Sequence, residues 1–297
     1  MNPREQGFLL LTGYLGDPER KPLTVAQFRE LTKRVHTMER PAQEREITEE
    51  DLIAIGCSRA FARRVLHLLS QTEQLQWYVS KGKRQNCMPI TRVTEGYPET
   101  VRRRLGLEAP GVLWAKGDLA LMETRKIALV GSRDLREENH AFAQEVGRQA
   151  ALQGYTLVSG DARGADRTAQ ESCLSHGGNV ISVVADALEK HPLRDRVLYL
   201  SEDGFDLNFS AQRALQRNRV IHCFGESTFV AQCRLKKGGT WDGTEKNLHN
   251  CWSPVFCFRD GSPASQELEQ LGAGLIENRD LQNLSALQPS MINFIDR

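Results

Sequence analysis

This sequence lacks most of the features that would commit it early to one chemistry. Its seven cysteines are odd in number and contain no CxxC pair, which argues against a disulfide framework and for free thiols in a reducing compartment. No run approaches the ~18 consecutive apolar residues that a membrane-spanning helix needs. The apolar stretch at residues 8–11 is too short for the core of a secretion signal, and the residues before it are polar. These absences read as a cytoplasmic protein. An excess of one charge is missing as well: 39 Lys and Arg stand against 38 Asp and Glu. No global field announces a polyanionic partner, although a local basic patch is compatible with that balance.

Catalytic signatures are equally scarce. There is no GxxxxGK[ST] phosphate loop, no G-x-G-x-x-G with a later acid, no G-x-S-x-G elbow and no HExxH. No Cys–His pair stands out as nucleophile and base. The chain therefore reads as a binding protein rather than an enzyme. His222, Cys223, Cys233, His249 and Cys251 could be drawn as a zinc set, but their spacing matches no standard ligand pairing. Structural thiols are expected there, with no metal and no cofactor.

What is present is ordinary globular composition, 40% apolar and 26% charged over 297 residues, long enough for one large domain and a smaller one. Residues 1–85 read as a module of short helices. Thr24 is a plausible N-cap for a helix through Phe28 and Leu31, Thr48 with Asp51 forms a capping-box pattern, and Ser58 can cap a third helix carrying Phe61, Val65 and Leu68 on one face. The module reads as packing support. A helix–turn–helix-like contact to nucleic acid is the alternative, and it lacks an Arg/Lys-rich recognition face. Residues 79–86 read as a linker, and Arg102-Arg103-Arg104 as a solvated face.

From Lys126 the pattern changes. Short apolar runs at 127–130, 155–158, 180–184, 228–231 and 255–258 alternate with helical spacings at 141–152 and 165–174. That predicts βαβ units, a mostly parallel sheet and the α/β class. A large domain over 86–280 and a short tail over 281–297 complete the division.

Two consecutive strand ends carry the chemistry. The first ends Gly131-Ser132-Arg133, the second Ser159-Gly160-Asp161-Ala162-Arg163-Gly164-Ala165-Asp166. Ligands of open parallel sheets bind outside the carboxyl ends of strands. Glycines there allow positive φ and close approach, helix N-termini attract phosphate, and Arg133 and Arg163 add charge-assisted bonds. Asp166 would repel phosphate and is expected to cap its helix or orient Arg163. A third element is Asn208-Phe209 with Arg213 and Arg217-Asn218-Arg219, Arg213 and Arg217 falling on one helix face. A fourth, Lys236-Lys237-Gly238-Gly239-Thr240, reads as another glycine-rich turn after a strand.

In this order, these residues resemble the DprA/Smf family of DNA-processing proteins. The resemblance rests on Tyr97-Pro98, Ala109-Pro110, Lys116-Gly117, the two strand ends, Gly177-Gly178, Asn208-Phe209, Arg217-Asn218-Arg219 and Asp260-Gly261-Ser262, across roughly residues 90–276. It implies an extended Rossmann-like fold that binds single-stranded DNA and forms a homodimer, preceded by a SAM-like helical module. It also implies protection of strands and delivery to a RecA-type recombinase in DNA uptake, recombination or defence, without catalysis. Gly131, Ser132, Arg133, Ser159, Gly160, Arg163, Gly164, Asn208, Arg217, Asn218, Lys236, Lys237, Gly239 and Thr240 are then the expected phosphate or DNA contacts. Three departures mark a divergent member. Seven residues without proline separate Phe209 from Arg217, the Gly238-to-Thr244 stretch replaces the family's Gly-Ser-Leu-Ile-Thr-like turn, and about 20 residues after Ile276 leave no room for a winged helix. The alternative is a pocket of the LOG type that binds or hydrolyses a nucleotide-derived ligand, suggested by Gly238-Gly239 with Gly243-Thr244-Glu245.

Overall fold

The computed structural model describes residues 1–38 and 46–288. Among these, nine strands form one sheet: β1 (Met88–Thr91), β2 (Val112–Gly117), β3 (Lys126–Val130), β4 (Thr156–Ser159), β5 (Asn179–Val183), β6 (Val197–Glu202), β7 (Thr228–Val230), β8 (Val255–Phe258) and β9 (Gly274–Ile276). Their order is β1-β2-β6-β5-β4-β3-β7-β8-β9. From β6 to β9 every pairing is parallel, and β2 alone runs against the others, pairing antiparallel with both β1 and β6. The chain is thus α/β with a mostly parallel Rossmann-like sheet, as the alternation of apolar runs predicts.

The strands are apolar on both faces because both faces are covered. Ile127 and Leu129 of β3 join one core with Leu157, Phe229 and Phe256, beneath Phe142, Val146 and Ala169. Ala128 and Val130 join the opposite core with Val158, Ile181 and Val230, beneath Val220, Phe224 and Trp241. Successive side chains point to opposite faces of a strand, so each four- or five-residue run feeds two cores.

The helices α1 (Pro3–Thr12), α2 (Val25–Val35), α3 (Glu49–Ala54), α4 (Arg59–Ser70) and α5 (Thr72–Arg84) form the N-terminal module. Thr24 and Thr48 close capping boxes with Gln27 and Asp51, and Ser58 caps α4. Leu11, Leu31, Leu52, Val65 and Leu68 make a small core of their own. The expected linker at 79–86 is instead mostly the last turns of α5. Tyr78 is buried there against Trp114 and Phe205, and Leu9, Leu10 and Leu75 share that core with the sheet. The polar and basic side chains that suggested a linker lie on one side of a helix whose other side is packed.

The remaining helices are α6 (Glu99–Leu105), α7 (Glu137–Leu152), α8 (Ala165–Ser175), α9 (Ala211–Phe224), α10 (Gly238–Asn250) and α11 (Pro263–Gln270). The arginine run on α6 is not simply a solvated face. Arg104 donates to the carbonyls of Cys223 and Gly225, satisfying the end of α9. In the region expected as a tail, Leu281 and Leu284 are buried, and 289–297 lie outside the described residues. No described helix is long and apolar enough to cross a membrane.

Helices α7 and α8 approach closely because position 147 has no side chain. A Cβ at Gly147 would lie 2.1 Å from the carbonyl oxygen of Ala169. Gly147→Ala is therefore expected to destabilise the fold by about 1–3 kcal/mol, since two packed backbones would have to separate. Urea unfolding measures this, and an unchanged midpoint would contradict the packing described.

Candidate functional site

The strand order reverses direction between β3 and β7. One route runs from β3 through α7 to β4, the other through β7 to β8 and β9 on the opposite side. That is the topological switch point, where an open α/β sheet leaves a crevice beyond the carboxyl ends of its strands. A cleft of about 520 Å³ lies there. Its floor is Val130, Gly131, Ser132 and Arg133 after β3. One wall is Ala211, Ala214, Leu215, Asn218 and Ile221, which recur at helical spacing along α9. The other wall is Arg234 and residues 237–240 after β7. A second cleft of about 300 Å³ adjoins it over the β4 end, lined by Gly160, Asp161, Arg163, Arg167, Asp186 and His191. Arg133, Ala162, Phe209 and Arg217 line both clefts, which therefore form one groove.

The glycines expected to approach a ligand serve the protein itself. A Cβ at Gly131 would sit 2.4 Å from that of Ala165, and at Gly164 it would sit 2.4 Å from the carbonyl oxygen of Arg133. At Gly160 it would fall 1.4 Å from a guanidinium nitrogen of Arg217. These positions let the two strand-end loops touch and leave room for one buried arginine. Gly164, at φ 86°, also needs the left-handed region.

Arg217 is the centre of that arrangement. It is only 8% exposed, donates from Nη1 to the carbonyl of Val183 at 2.7 Å and faces Asp166 at 4.0 Å. Among the described residues its Nε has no hydrogen-bond partner. Asp166 accepts from the amide of Ala162 at 3.2 Å. Burial pushes the Asp166 carboxyl above its ordinary range, and the nearby Arg217 charge offsets part of that. Asp166 therefore holds the β4 loop and Arg217, and it does not orient Arg163. Arg163 is exposed and pairs with Asp134 at 2.6 Å.

Other expected contacts divide by position. Gly131, Ser132, Arg133, Asn218, Lys237, Gly239 and Thr240 line the larger cleft. There Asn218 donates to the carbonyl of Gly239 at 2.9 Å, and the Thr240 hydroxyl donates to that of Gly131 at 3.0 Å. Among the described residues Arg133 and Lys237 enter no ion pair, which leaves their charge available at the cleft. Four residues line neither cleft: Gly164, held in the contact between the two loops, and Ser159, Asn208 and Lys236. Ser159 is buried at 0% exposure, its hydroxyl accepting from Gln170 of α8 at 2.7 Å, because it points from the end of β4 into the layer between the sheet and that helix. Asn208 lines neither cleft, and its carbonyl accepts from Arg213. Lys236 pairs with Glu267 at 3.3 Å and borders a neighbouring groove between α9 and α10.

The stretch at 238–244 is not a turn but the first half of α10, so its backbone amides face the cleft from a helix start. Among the described residues no group of three or more His, Cys, Asp or Glu is placed to hold a metal ion. Phe209, part of the third element but not among the expected contacts, is 56% exposed and lines both clefts, and Arg234, Leu215 and His191 join the lining as well. Only Phe209 left a signal, as an aromatic beside Asn208. The others depend on which way α9 and two loops face.

Three comparisons match this architecture. The family model described as "DNA recombination-mediator protein A" matches residues 89–282. The DNA processing protein DprA of Streptococcus pneumoniae is 30% identical over 146 residues, 44% of this chain and 50% of that protein. The chain spans about half the length of the curated relatives it matches. The crystal structure of the S. pneumoniae protein superposes with a TM-score of 0.64 at 24% identity, covering 87% of this chain and 97% of that one. DNA processing protein A from Helicobacter pylori superposes at 0.56 and 21% identity, covering 66% and 94%. Its structure was reported for its single-stranded DNA binding mode. Since the family match runs without a break from β1, through both strand-end loops and the switch-point cleft, to the buried turns after β9, the chain belongs to the DNA recombination-mediator protein A family.

Proposed function

We propose that the groove binds single-stranded DNA. The observation that carries this reading is an exposed aromatic ring, Phe209, at the junction of two clefts whose rims bear Arg133, Arg163 and Lys237. Cations along a groove track the phosphates, while an aromatic face stacks bases without regard to sequence. The amides at the start of α10 add donors along one wall of the groove. The likeness to a DNA processing protein whose structure was reported for its single-stranded DNA binding mode supports the same reading.

Fluorescence anisotropy with a poly-dT oligonucleotide tests it. Binding is expected to weaken linearly on a log–log plot against salt, and each phosphate contact removed by Arg133→Ala or Lys237→Ala should flatten that slope by about 0.7. Phe209→Ala should instead cost about 1–3 kcal/mol per stacked base with the slope unchanged. Absence of binding at low salt would end the proposal.

By the same reading the protein works in the cytosol as a homodimer, shields strands during uptake, recombination or defence, and passes them to a RecA-type recombinase. Size-exclusion mass and recombinase-loading assays check these points separately. Hydrolysis of a nucleotide-derived ligand is not favoured. Glu245, the acid a LOG-type site would need, is exposed on α10 and borders the neighbouring groove rather than the switch-point cleft.

A further inference from the structure

We propose that Asp206 is a positioning residue, tied down by α5 of the N-terminal module so that Phe209 stands over the groove. On this view the module is a working part of the binding site rather than packing support alone. The inference rests on the proposed binding of single-stranded DNA.

Phe209 belongs to residues 203–210, which join β6 to α9 without regular structure beyond the N-cap of α9. More than half exposed, its ring is held mainly by the path of this loop. Two clamps define that path. Beneath it, Arg213 donates to the carbonyls of Leu207 at 2.8 Å and Asn208 at 3.2 Å, and also to the hydroxyl of Ser201. Beside it, the carboxylate of Asp206 accepts from the Tyr78 hydroxyl at 2.7 Å and from Lys81 Nζ at 2.7 Å, one oxygen for each donor.

Both donors come from α5. They are three residues apart and so lie on one helix face. The contact is a shielded one: Asp206 is 14% exposed and Lys81 33%. An ion pair between freely solvated side chains would be worth little. The clasp here is braced by aromatic packing. Phe205 lies 4.8 Å from Tyr78 and 4.7 Å from Trp114 between ring centroids, and Lys81 sits 5.5 Å over the Phe205 ring. Gly82 and Gly204 allow this closeness, since a Cβ at Gly204 would lie 2.9 Å from the Tyr78 oxygen and one at Gly82 would lie 2.7 Å from the Trp114 ring. The ring trio holds residue 205, the carboxylate holds 206 and Arg213 holds 207 and 208. Phe209 follows directly.

A stacking platform binds best when it is already in place, because ordering a loop on binding subtracts from affinity. Breaking the clasp should therefore forfeit part or all of what Phe209 contributes, and nothing of the phosphate term. The test uses the full chain and a dT oligonucleotide in anisotropy. Asp206→Ala and, separately, Lys81→Met are expected to weaken binding by roughly fivefold or more, with Phe209→Ala as the ceiling, and with the salt slope unchanged. In a Phe209→Ala background, Asp206→Ala should have less than about a twofold further effect. An equal loss in both backgrounds would overturn the proposal, as would an unchanged affinity in either variant.

A second readout needs no DNA. Six of the seven cysteines are buried and Cys251 is exposed, so a nitroxide can be placed by Phe209→Cys in a Cys251→Ser background. Asp206→Ala should sharpen its spectrum, marking faster motion at position 209. An unaltered spectrum refutes the positioning role. If the natural chain binds no oligonucleotide while the spectrum still sharpens, it is the DNA reading that fails and not the clasp.

Discussion

Replacing Arg217 by methionine is expected to lower the free energy of unfolding by about 3–5 kcal/mol, the range for removing one partner of a buried ion pair. The guanidinium and the Asp166 carboxylate are both nearly out of contact with solvent, at 8% and 6% exposure. Methionine fills similar volume but strands a carboxylate among Gly160, Ala162 and apolar neighbours. It also takes a donor from the Val183 carbonyl. The cost should be largely electrostatic. If so, Arg217→Met combined with Asp166→Asn recovers most of the loss, because asparagine is neutral and still accepts from the Ala162 amide. Chemical denaturation of the three variants decides the matter. A single Arg217→Met variant within about 1 kcal/mol of the natural protein would show that the pair is not what holds the two strand-end loops together. The fold uses this residue as a keystone beneath the groove, so its loss should also weaken oligonucleotide binding.

The second large effect concerns acid. His222 lies inside the layer between α9 and α10 at 0% exposure. Its Nδ1 is 3.0 Å from the side-chain nitrogen of Asn247, whose oxygen accepts from the Ser253 amide at 2.8 Å. That amide bond fixes which end of Asn247 donates, so Nδ1 is an acceptor and the ring is neutral. Burial holds the imidazole pKa down to about 3. In the unfolded chain the value is about 6.5. The folded state therefore binds fewer protons between these values. The stability His222 contributes is complete above about pH 6.5 and is lost as pH falls toward 3. Over the whole interval this amounts to about 5 kcal/mol, at about 1.4 kcal/mol per pH unit. Equilibrium unfolding followed from pH 7 to pH 4 should show that slope, and His222→Gln should flatten it even if the variant begins less stable. An identical pH profile in both proteins would mean that other groups control acid unfolding.

The arrangement of the site explains which of its parts the sequence disclosed. Strand ends are legible because a short apolar run that stops at glycine is a local pattern, and two such runs with nearby arginines point to a crevice. The roles of the individual residues are not local. Gly160 looks like a ligand-approach glycine and is instead the space occupied by Arg217. Ser159 looks like a hydroxyl donor for phosphate, but the last residue of a strand can face the helix packed on the sheet, and this one does. Residues 238–244 read as a turn because three glycines and two threonines dominate them, yet burial of Trp241 and Thr244 draws them into a helix. Tertiary burial overrides weak helix propensity of that size.

The sequence alone determined the α/β class, the strands β3, β4, β5, β7 and β8, the caps at Thr24, Thr48 and Ser58, and the two strand-end loops that line the groove. Each follows from interactions between residues only a few positions apart, which periodicity and capping chemistry encode directly. Only the tertiary structure decided that the switch point lies between β3 and β7, that Arg217 turns inward to Asp166 while Arg133 and Lys237 enter no ion pair with a described residue, and that the N-terminal helices reach residue 206. Those outcomes depend on contacts between residues far apart in the chain, such as Arg217 with Asp166 and Lys81 with Asp206. They arise when whole faces compete for burial, a contest that no short stretch of sequence records.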